Sequence, residues 1–213
     1  LLAIEKRNEV MWGICYFPVL KEIFIAEKGK GAFLNGKKIE VSKAADLRGQ
    51  MFCPDGTLRK KPREILGDIE RFCGVGCRLR VYGSSPYAFT RVALGQALIA
   101  TNRMGKSWDI AAVSLLVEEA GGKITDEEGN SWQIDSENLI ATNGLVHEKA
   151  LELFNVVYSA LKENLKLHPL DIRNQLVLSQ LSQVVYSLTN DTNYIFEYGG
   201  YLTDALQYSP KRQ

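Results

Sequence analysis

The chain has 213 residues, of which 46% are hydrophobic and 24% are charged, so it can bury a core and is not a disordered polypeptide. Lysine and arginine total 26 against 25 acidic residues, which excludes a protein that grips nucleic acid through surplus positive charge. The apolar runs are shorter than the ~18 residues that indicate a membrane span, and the first residues do not resemble a secretory signal. We therefore expect a soluble protein whose partners include neither a nucleic-acid polymer nor a membrane.

Cysteine usage predicts the compartment. The four cysteines contain no CxxC pair and are too few for a disulfide scaffold in a chain of this length. A reduced, cytoplasmic setting is the expectation that follows.

The first part of the chain is predicted to form antiparallel sheet. Residues 10–19 and 22–26 have strand patterns, and Asn35-Gly36, a dipeptide favoured in tight hairpins, separates two further short strands. No capping or turn signal precedes the strand at residue 10. We expect that the N-terminal part of the fold is missing from this sequence.

From residue 62 onward, predicted helices alternate with strands. The helices begin near residues 62, 85, 108 and 147, and the strands cover residues 78–82, 97–101, 123–125 and 139–141. This alternation, together with the hairpins, predicts a mixed α/β domain over residues 1–165, with helices packed on mixed sheets. Residues 166–213 are predicted to form an additional helical, tyrosine-rich segment whose role the pattern does not reveal.

The sequence Trp-Asp-Ile-Ala-Ala at residues 108–112 has two interpretations. Aspartate is a preferred N-cap, and the small residues behind Asp109 would let its helix pack closely against a neighbour. Alternatively, Asp109 is a carboxylate ligand for a hard cation, at a helix end that also attracts phosphate.

Several motifs in consistent order resemble the inositol monophosphatase family. They are residues 108–112, Glu-Ala-Gly-Gly at 119–122, Ala-Thr-Asn at 141–143, and the hairpin region at 13–18 and 26–36. The resemblance covers about residues 10–155 and implies a layered α/β sugar-phosphatase-like fold. It also implies a homodimer and a small phosphorylated substrate, hydrolysed by water activated by Mg²⁺.

The resemblance assigns roles to individual residues. Asp109 matches the family's metal-binding aspartate. Gly83, Ser84 and Ser85 match the loop that meets the substrate alcohol, although Ser84 and Ser85 also fit an ordinary helix cap. No catalytic residue is assigned, because the family's glutamate pair and Asp-Pro-x-Asp-Gly-Thr motif belong before the strand at residue 10 and have no counterpart here.

Two further positions are candidate substrate contacts. Where inositol-specific members carry a glutamate, this chain has Asn102, which argues against inositol specificity. Arg103 and Lys106 follow, and either they favour a second anionic group, as in a bisphosphate sugar or a phosphonucleotide, or they are solvated loop cations. Thr57 ends a Pro-Asp-Gly-Thr sequence in what resembles the family's variable loop near the substrate, although a plain turn explains that sequence as well.

Two hypotheses follow for function. The first is Mg²⁺-dependent hydrolysis of a phosphomonoester (an inositol phosphate, a sugar phosphate or a phosphonucleotide), impaired in this chain because one carboxylate does not make a metal site. The alternative is a non-catalytic interaction module, or a fragment, that keeps the fold without a complete metal site.

Overall fold

A computed structural model describes residues 1–154 apart from residues 55, 57–60, 104 and 137. The strands are β1 (Leu2–Lys6), β2 (Glu9–Phe17), β3 (Glu22–Glu27), β4 (Gly31–Leu34), β5 (Lys37–Ile39), β6 (Met51–Cys53), β7 (Arg78–Leu79), β8 (Ile99–Arg103), β9 (Lys123–Asp126) and β10 (Asn138–Thr142). The helices are α1 (Pro62–Gly74), α2 (Ser85–Ala93), α3 (Ser107–Glu119) and α4 (His147–Phe154).

The strands form two five-stranded sheets. Sheet A is an antiparallel meander in the order β1-β2-β3-β4-β5. Sheet B has the order β7-β6-β8-β10-β9, in which β6 runs parallel to both β7 and β8 while β10 runs antiparallel to β8 and β9. The predicted α/β class with mixed sheets is confirmed.

The sheets and helices lie in layers. Helices α2 and α3 share one hydrophobic core with Cys15 and Phe24 of sheet A and with Leu139 of sheet B. Ile140, the next residue of β10, belongs instead to a second core with residues of α1 and α4. Because successive side chains of a strand point to opposite faces, sheet B is covered by helices on both of its faces.

Helix α3 approaches sheet A closely because small residues line the contact. A Cβ atom on Gly13 of β2 would lie 2.6 Å from the carbonyl oxygen of Ala112. The structure thus confirms the packing role predicted for the small residues of the Trp-Asp-Ile-Ala-Ala sequence, and only glycine fits at position 13 without a shift.

The predicted Asn-Gly hairpin is present. Asn35 and Gly36 both have positive φ, 49° and 78°, as a type I′ turn requires. The Asn35 side chain also accepts a hydrogen bond from the Ile23 amide (2.9 Å), which ties the turn to β3.

Some elements differ from the sequence prediction. Strands β1 and β6 were not foreseen, since a run of three to five residues has too little periodicity to distinguish a strand. Strand β8 lies two residues later than predicted, and β7 is shorter. The predicted boundary at residue 165 and the segment 166–213 lie outside the described residues. Among the described helices, none combines the length and apolarity needed to cross a bilayer.

Candidate active site

Three chain segments that carry predicted site residues meet on one side of sheet B. Asn102, near the end of β8, donates a hydrogen bond from Nδ2 to the Ser85 Oγ at the start of α2 (2.5 Å). Gly105, which follows β8, lies so close that a Cβ there would be 2.6 Å from Asn102 Oδ1 and 3.0 Å from Ile110 Cγ2 in α3. The ends of α2, β8 and α3 are therefore in mutual contact, as a shared site requires.

Ser84 is a helix cap. It has extended backbone angles before α2, and its Oγ accepts a hydrogen bond from the Tyr87 amide (3.4 Å). The alternative interpretation from the sequence, an ordinary cap, is therefore confirmed for Ser84. Gly83 has φ +67°, and Gly56 packs against it so closely that a Cβ on Gly56 would lie 2.7 Å from the Gly83 Cα. A side chain at position 56 would therefore clash with the backbone of residue 83, and the positive φ at residue 83 favours glycine there.

Asp109 is not the cap of α3. The N-cap is Lys106, whose carbonyl accepts the Asp109 amide (2.8 Å), and no side-chain hydrogen bond caps the helix. The interpretation of Asp109 as an N-cap is therefore wrong: the cap lies three residues earlier, and Asp109 is the third residue of the helix, which begins at Ser107. Asp109 lies in the first turn, half-buried, and its carboxylate makes no hydrogen bond or ion pair with any described residue.

Like the Asp109 carboxylate, the side-chain oxygen of Asn102 has no hydrogen-bond partner among the described residues. Its side chain is buried, with 3% of its surface exposed, and Oδ1 has no hydrogen-bond partner within the described part of the chain. A buried acceptor without a partner costs about 1–3 kcal/mol, and such costs are typical of sites that meet a ligand.

Arg103 lies on the opposite face of sheet B from Asn102. Its Nε and Nη2 donate to the two carboxylate oxygens of Asp68 in α1 (3.0 and 2.8 Å), and its guanidinium lies over the Phe154 ring. Glu127 accepts a further bond from Nη1 (2.9 Å). The hypothesis that Arg103 recognises a second anionic group is therefore wrong, because its charge is engaged inside the protein. The other cation of that hypothesis, Lys106, is exposed at the start of α3.

The cluster around Asp68 was missed by the sequence analysis. Asp68 is fully buried and also accepts a bond from Arg71 (2.7 Å). Burial raises the pKa of Asp68, and hydrogen bonds from Arg103 and Arg71 oppose that rise. In the sequence, one signal points to this cluster: an aspartate, Asp68, lies on the apolar face of a predicted amphipathic helix. By joining α1, β8 and α4, the cluster fixes the strand end that carries Asn102.

The described residues do not by themselves form a metal site. They contain no group of three or more histidine, cysteine, aspartate or glutamate side chains arranged to hold an ion. Hard cations such as Mg²⁺ take several oxygen ligands, and Asp109 supplies one. The chemistry of Asp109 fits such an ion, but the described set as a whole does not. Thr57 lies outside the described residues.

Comparison with known proteins decides the family. Residues 1–159 match the model of the inositol monophosphatase family. The chain belongs to this family. A fructose-1,6-bisphosphatase/inositol-1-monophosphatase of Thermotoga maritima is 35% identical over 157 residues, covering 73% of this chain and 59% of that protein. Mouse inositol monophosphatase 1 is 32% identical over 150 residues, covering 68% of this chain and 54% of that protein.

Solved structures agree on the fold of this family member. The Thermotoga maritima inositol monophosphatase matches with a TM-score of 0.67 at 33% identity, covering 74% of this chain and 60% of that one. The SuhB extragenic suppressor protein of Bartonella henselae matches with a TM-score of 0.68 at 28% identity, covering 71% and 59%. This chain thus spans less than two thirds of the length of these relatives.

Proposed function

We propose that this inositol monophosphatase family member takes part in Mg²⁺-dependent hydrolysis of small phosphomonoesters, with Asp109 as one ligand of the metal site. The observation that carries the proposal is the Asp109 carboxylate, which no described residue engages, at the start of α3. The relatives that match the chain bear phosphatase names, which supports the same reaction class.

The residues of this chain support distinct parts of that reaction. Asp109 would hold a cation beside the N-terminus of α3, whose free backbone amides attract phosphate oxygens. When bound, Mg²⁺ would neutralise phosphoryl charge and lower the pKa of the attacking water. Further ligands must come from residues outside those described, since several oxygens are needed.

The leaving alcohol would lie against Ser85 and Asn102. Asn102 Oδ1 can accept a hydrogen bond from a substrate hydroxyl, and its Nδ2 orients the Ser85 hydroxyl (2.5 Å). Both groups are neutral, so this pair suits a sugar, inositol or nucleoside hydroxyl better than a charged amine. Residues 83–85 would place the backbone of the turn beside the same alcohol. A homodimer in the cytoplasm is the setting proposed for this activity.

The experiment is phosphate release from a panel of inositol, sugar and nucleotide monophosphates, with and without Mg²⁺. We expect low release by chain 1–213 and at least ~100-fold more by a form extended at its N-terminal side with the family's acidic motifs. EDTA should abolish the release by the extended form. Full release by chain 1–213 in EDTA would contradict the proposal.

A further inference from the structure

Asn102 and Arg103 are adjacent in β8 and face opposite sides of sheet B. Asn102 bonds to Ser85 of α2 on one side, and Arg103 bonds to Asp68 of α1 on the other. Because neighbouring side chains of a strand alternate between its two faces, turning the peptide that joins them would redirect both. Whatever holds the Arg103 side chain therefore also restricts the direction of Asn102.

The Arg103 guanidinium is held by three other parts of the chain. Its Nε and Nη2 donate to the two carboxylate oxygens of Asp68 (3.0 and 2.8 Å), and Nη1 donates to Glu127, which follows β9 (2.9 Å). Nη2 also donates to the carbonyl of Phe154 at the end of α4 (2.8 Å), and the guanidinium lies 3.7 Å from the centroid of the Phe154 ring. A planar group that is bonded at three nitrogens and stacked on a ring has one orientation.

The two carboxylates that bind Arg103 are themselves fixed. Asp68, which is fully buried, also accepts a bond from Arg71 (2.7 Å), and the second oxygen of Glu127 accepts one from the Asn138 amide (2.8 Å). We call Asp68, Arg71, Arg103 and Glu127 the anchor cluster. Its two positive charges match its two negative ones, and hydrogen bonds between such groups are stronger away from water than in it. The anchor cluster is therefore a firm support for the end of β8.

We propose that Arg103 is a positioning residue for the substrate alcohol. Within the described part of the chain nothing bonds to Asn102 Oδ1, so the backbone of β8 and the Ser85 bond at the other end of the amide set the direction of this oxygen. Arg103 lies on the opposite face of the sheet and acts by keeping Oδ1 aimed at the substrate hydroxyl. This inference rests on the proposed function, in which Asn102 accepts a bond from that hydroxyl.

A double-mutant cycle with Asn102 tests the inference by kinetics. The N-terminally extended form is assayed with inositol 1-phosphate and adenosine 2′-monophosphate, which both carry a hydroxyl beside the phosphate ester. Arg103→Lys keeps the positive charge but loses the planar fork, so KM should rise about 5-fold while kcat changes less than about 2-fold. In the Asn102→Ala background the same substitution should raise KM less than about 2-fold, since the group that Arg103 positions is absent. Equal effects in the two backgrounds would overturn the inference.

Arg71→Lys is the matched control. Arg71 donates to the same Asp68 carboxylate, and its Nε donates to the Leu153 carbonyl (2.5 Å), but it belongs to α1 and not to the strand that carries Asn102. The two variants should lose comparable stability in urea, whereas Arg71→Lys should leave KM within about 2-fold of the wild type. An equal rise of KM in both variants would mean that the anchor cluster acts through stability alone, and it would overturn the inference.

A readout without catalysis separates this inference from the proposed function. In chain 1–213, Arg103→Lys should shift the side-chain amide signals of Asn102 in ¹H–¹⁵N spectra and speed their hydrogen exchange, and Arg71→Lys should not. If the extended form releases no phosphate from any monoester, the proposed function fails and these signals still decide: a shift supports the positioning role of Arg103, and unchanged signals overturn it. Circular dichroism shows whether each variant folds. If Arg103→Lys does not fold, Asp68→Asn replaces it with the same expectations.

Discussion

The two ends of α3 carry acidic residues from the family's motifs, and the structure uses them in opposite ways. At the first turn, the Asp109 carboxylate has no partner among the described residues. At the last turn, both oxygens of Glu119 accept backbone bonds, from the amides of Gly29 and Gly31 (2.7 Å each). One motif residue is therefore engaged in holding the fold, whereas the other is left without a partner among the described residues, which is the condition that its proposed role as a metal ligand requires.

The region near the last turn of α3 contains further motif residues that hold the fold. Asn143, of the Ala-Thr-Asn motif, donates from Nδ2 to the carbonyls of Ser42 (2.8 Å) and Ala44 (2.7 Å). The amide of Val41 donates to the Ala120 carbonyl (3.0 Å). Together with Glu119, these bonds tie the segments on either side of the β4–β5 hairpin to the end of α3 and to the end of β10. We call the region around Glu119, Ala120 and Asn143 the structural end and the region around Asp109 the chemical end.

The largest expected effect is on activity at the chemical end. In the N-terminally extended form, Asp109→Asn should lower kcat/KM about 100- to 1,000-fold, because the neutral amide is a poor ligand for a hard cation. The unfolding free energy should change by less than about 0.5 kcal/mol. Asp135→Asn, at an exposed aspartate in the β9–β10 connection, is the control and should leave both quantities unchanged.

The structural end should respond to pH through His147. This buried side chain contacts the Thr125 hydroxyl through Nε2 and the Thr142 hydroxyl through Nδ1 (3.0 Å each). Because Thr125 donates its own proton to the Asp126 carbonyl, Nε2 must be the donor, which leaves Nδ1 to accept from Thr142. Burial lowers the pKa of His147 to about 4, and the Lys123 charge adds to the effect.

The sign of the pH effect follows from the lowered pKa. The unfolded chain takes up the histidine proton near its ordinary pKa of about 6.5, and the folded chain only near 4. The stability that His147 contributes is therefore complete above pH ~6.5 and falls by about 3 kcal/mol between pH ~6.5 and ~4. Urea titrations across this range measure it. In His147→Gln the loss of stability between pH ~6.5 and ~4 should be smaller by about 3 kcal/mol, and an unchanged loss would contradict the assignment.

Glu119→Gln should reduce stability by about 2 kcal/mol, since one of two charge-assisted bonds to the β3–β4 turn is lost and the other becomes neutral. Urea unfolding measures the change, and kcat per folded molecule should stay the same. Glu148→Gln, on α4, is the surface control, since its salt bridge to Lys123 joins two exposed side chains. A fall in kcat without a fall in stability would mean that the two ends do not differ as described.

The smallest effect is expected at Asn102. Asn102→Ala removes the donor to Ser85 and the free Oδ1, so KM should rise about 10-fold while kcat changes less. Asn138→Ala is the matched control. Asn138 also has a buried Oδ1 without a described partner, but it lies beside Arg103 and donates to Glu127, on the face of sheet B opposite to Asn102. Equal KM changes in the two variants would remove the assignment of Asn102 to substrate.

The sequence predicts the fold where the local signals are strong. The Asn35-Gly36 turn has positive φ at both residues, and α1 and α3 start within a residue of their predicted positions. Gly13 and Ala112, which meet across the β2–α3 contact, explain why small residues follow Asp109. Short strands such as β6 escape prediction, because three residues paired to neighbours distant in sequence leave no periodic pattern.

The site is harder to predict, because its chemistry depends on contacts between distant segments. Asn102 was identified because it stands where inositol-specific members of the family carry a glutamate, but its bond to Ser85 could not be predicted from the sequence. For Arg103 the sequence left two interpretations open, recognition of a second anionic group and a solvated loop cation, and the structure supports neither. Its partner Asp68 lies 35 residues away, and only the fold brings the two together.

The most direct measurement is paramagnetic broadening by Mn²⁺, which takes the same oxygen ligands as Mg²⁺. Helix α3 has 13 residues and is about 20 Å long, so the amide signals of its two ends report on separate sites. We predict that Mn²⁺ broadens the amides of residues 107–110 first, at concentrations that leave residues 118–120 and the exposed Asp135 sharp. Broadening that begins at Glu119, or that is no stronger at Asp109 than at Asp135, would contradict the claim that Asp109 is the carboxylate kept free for a cation.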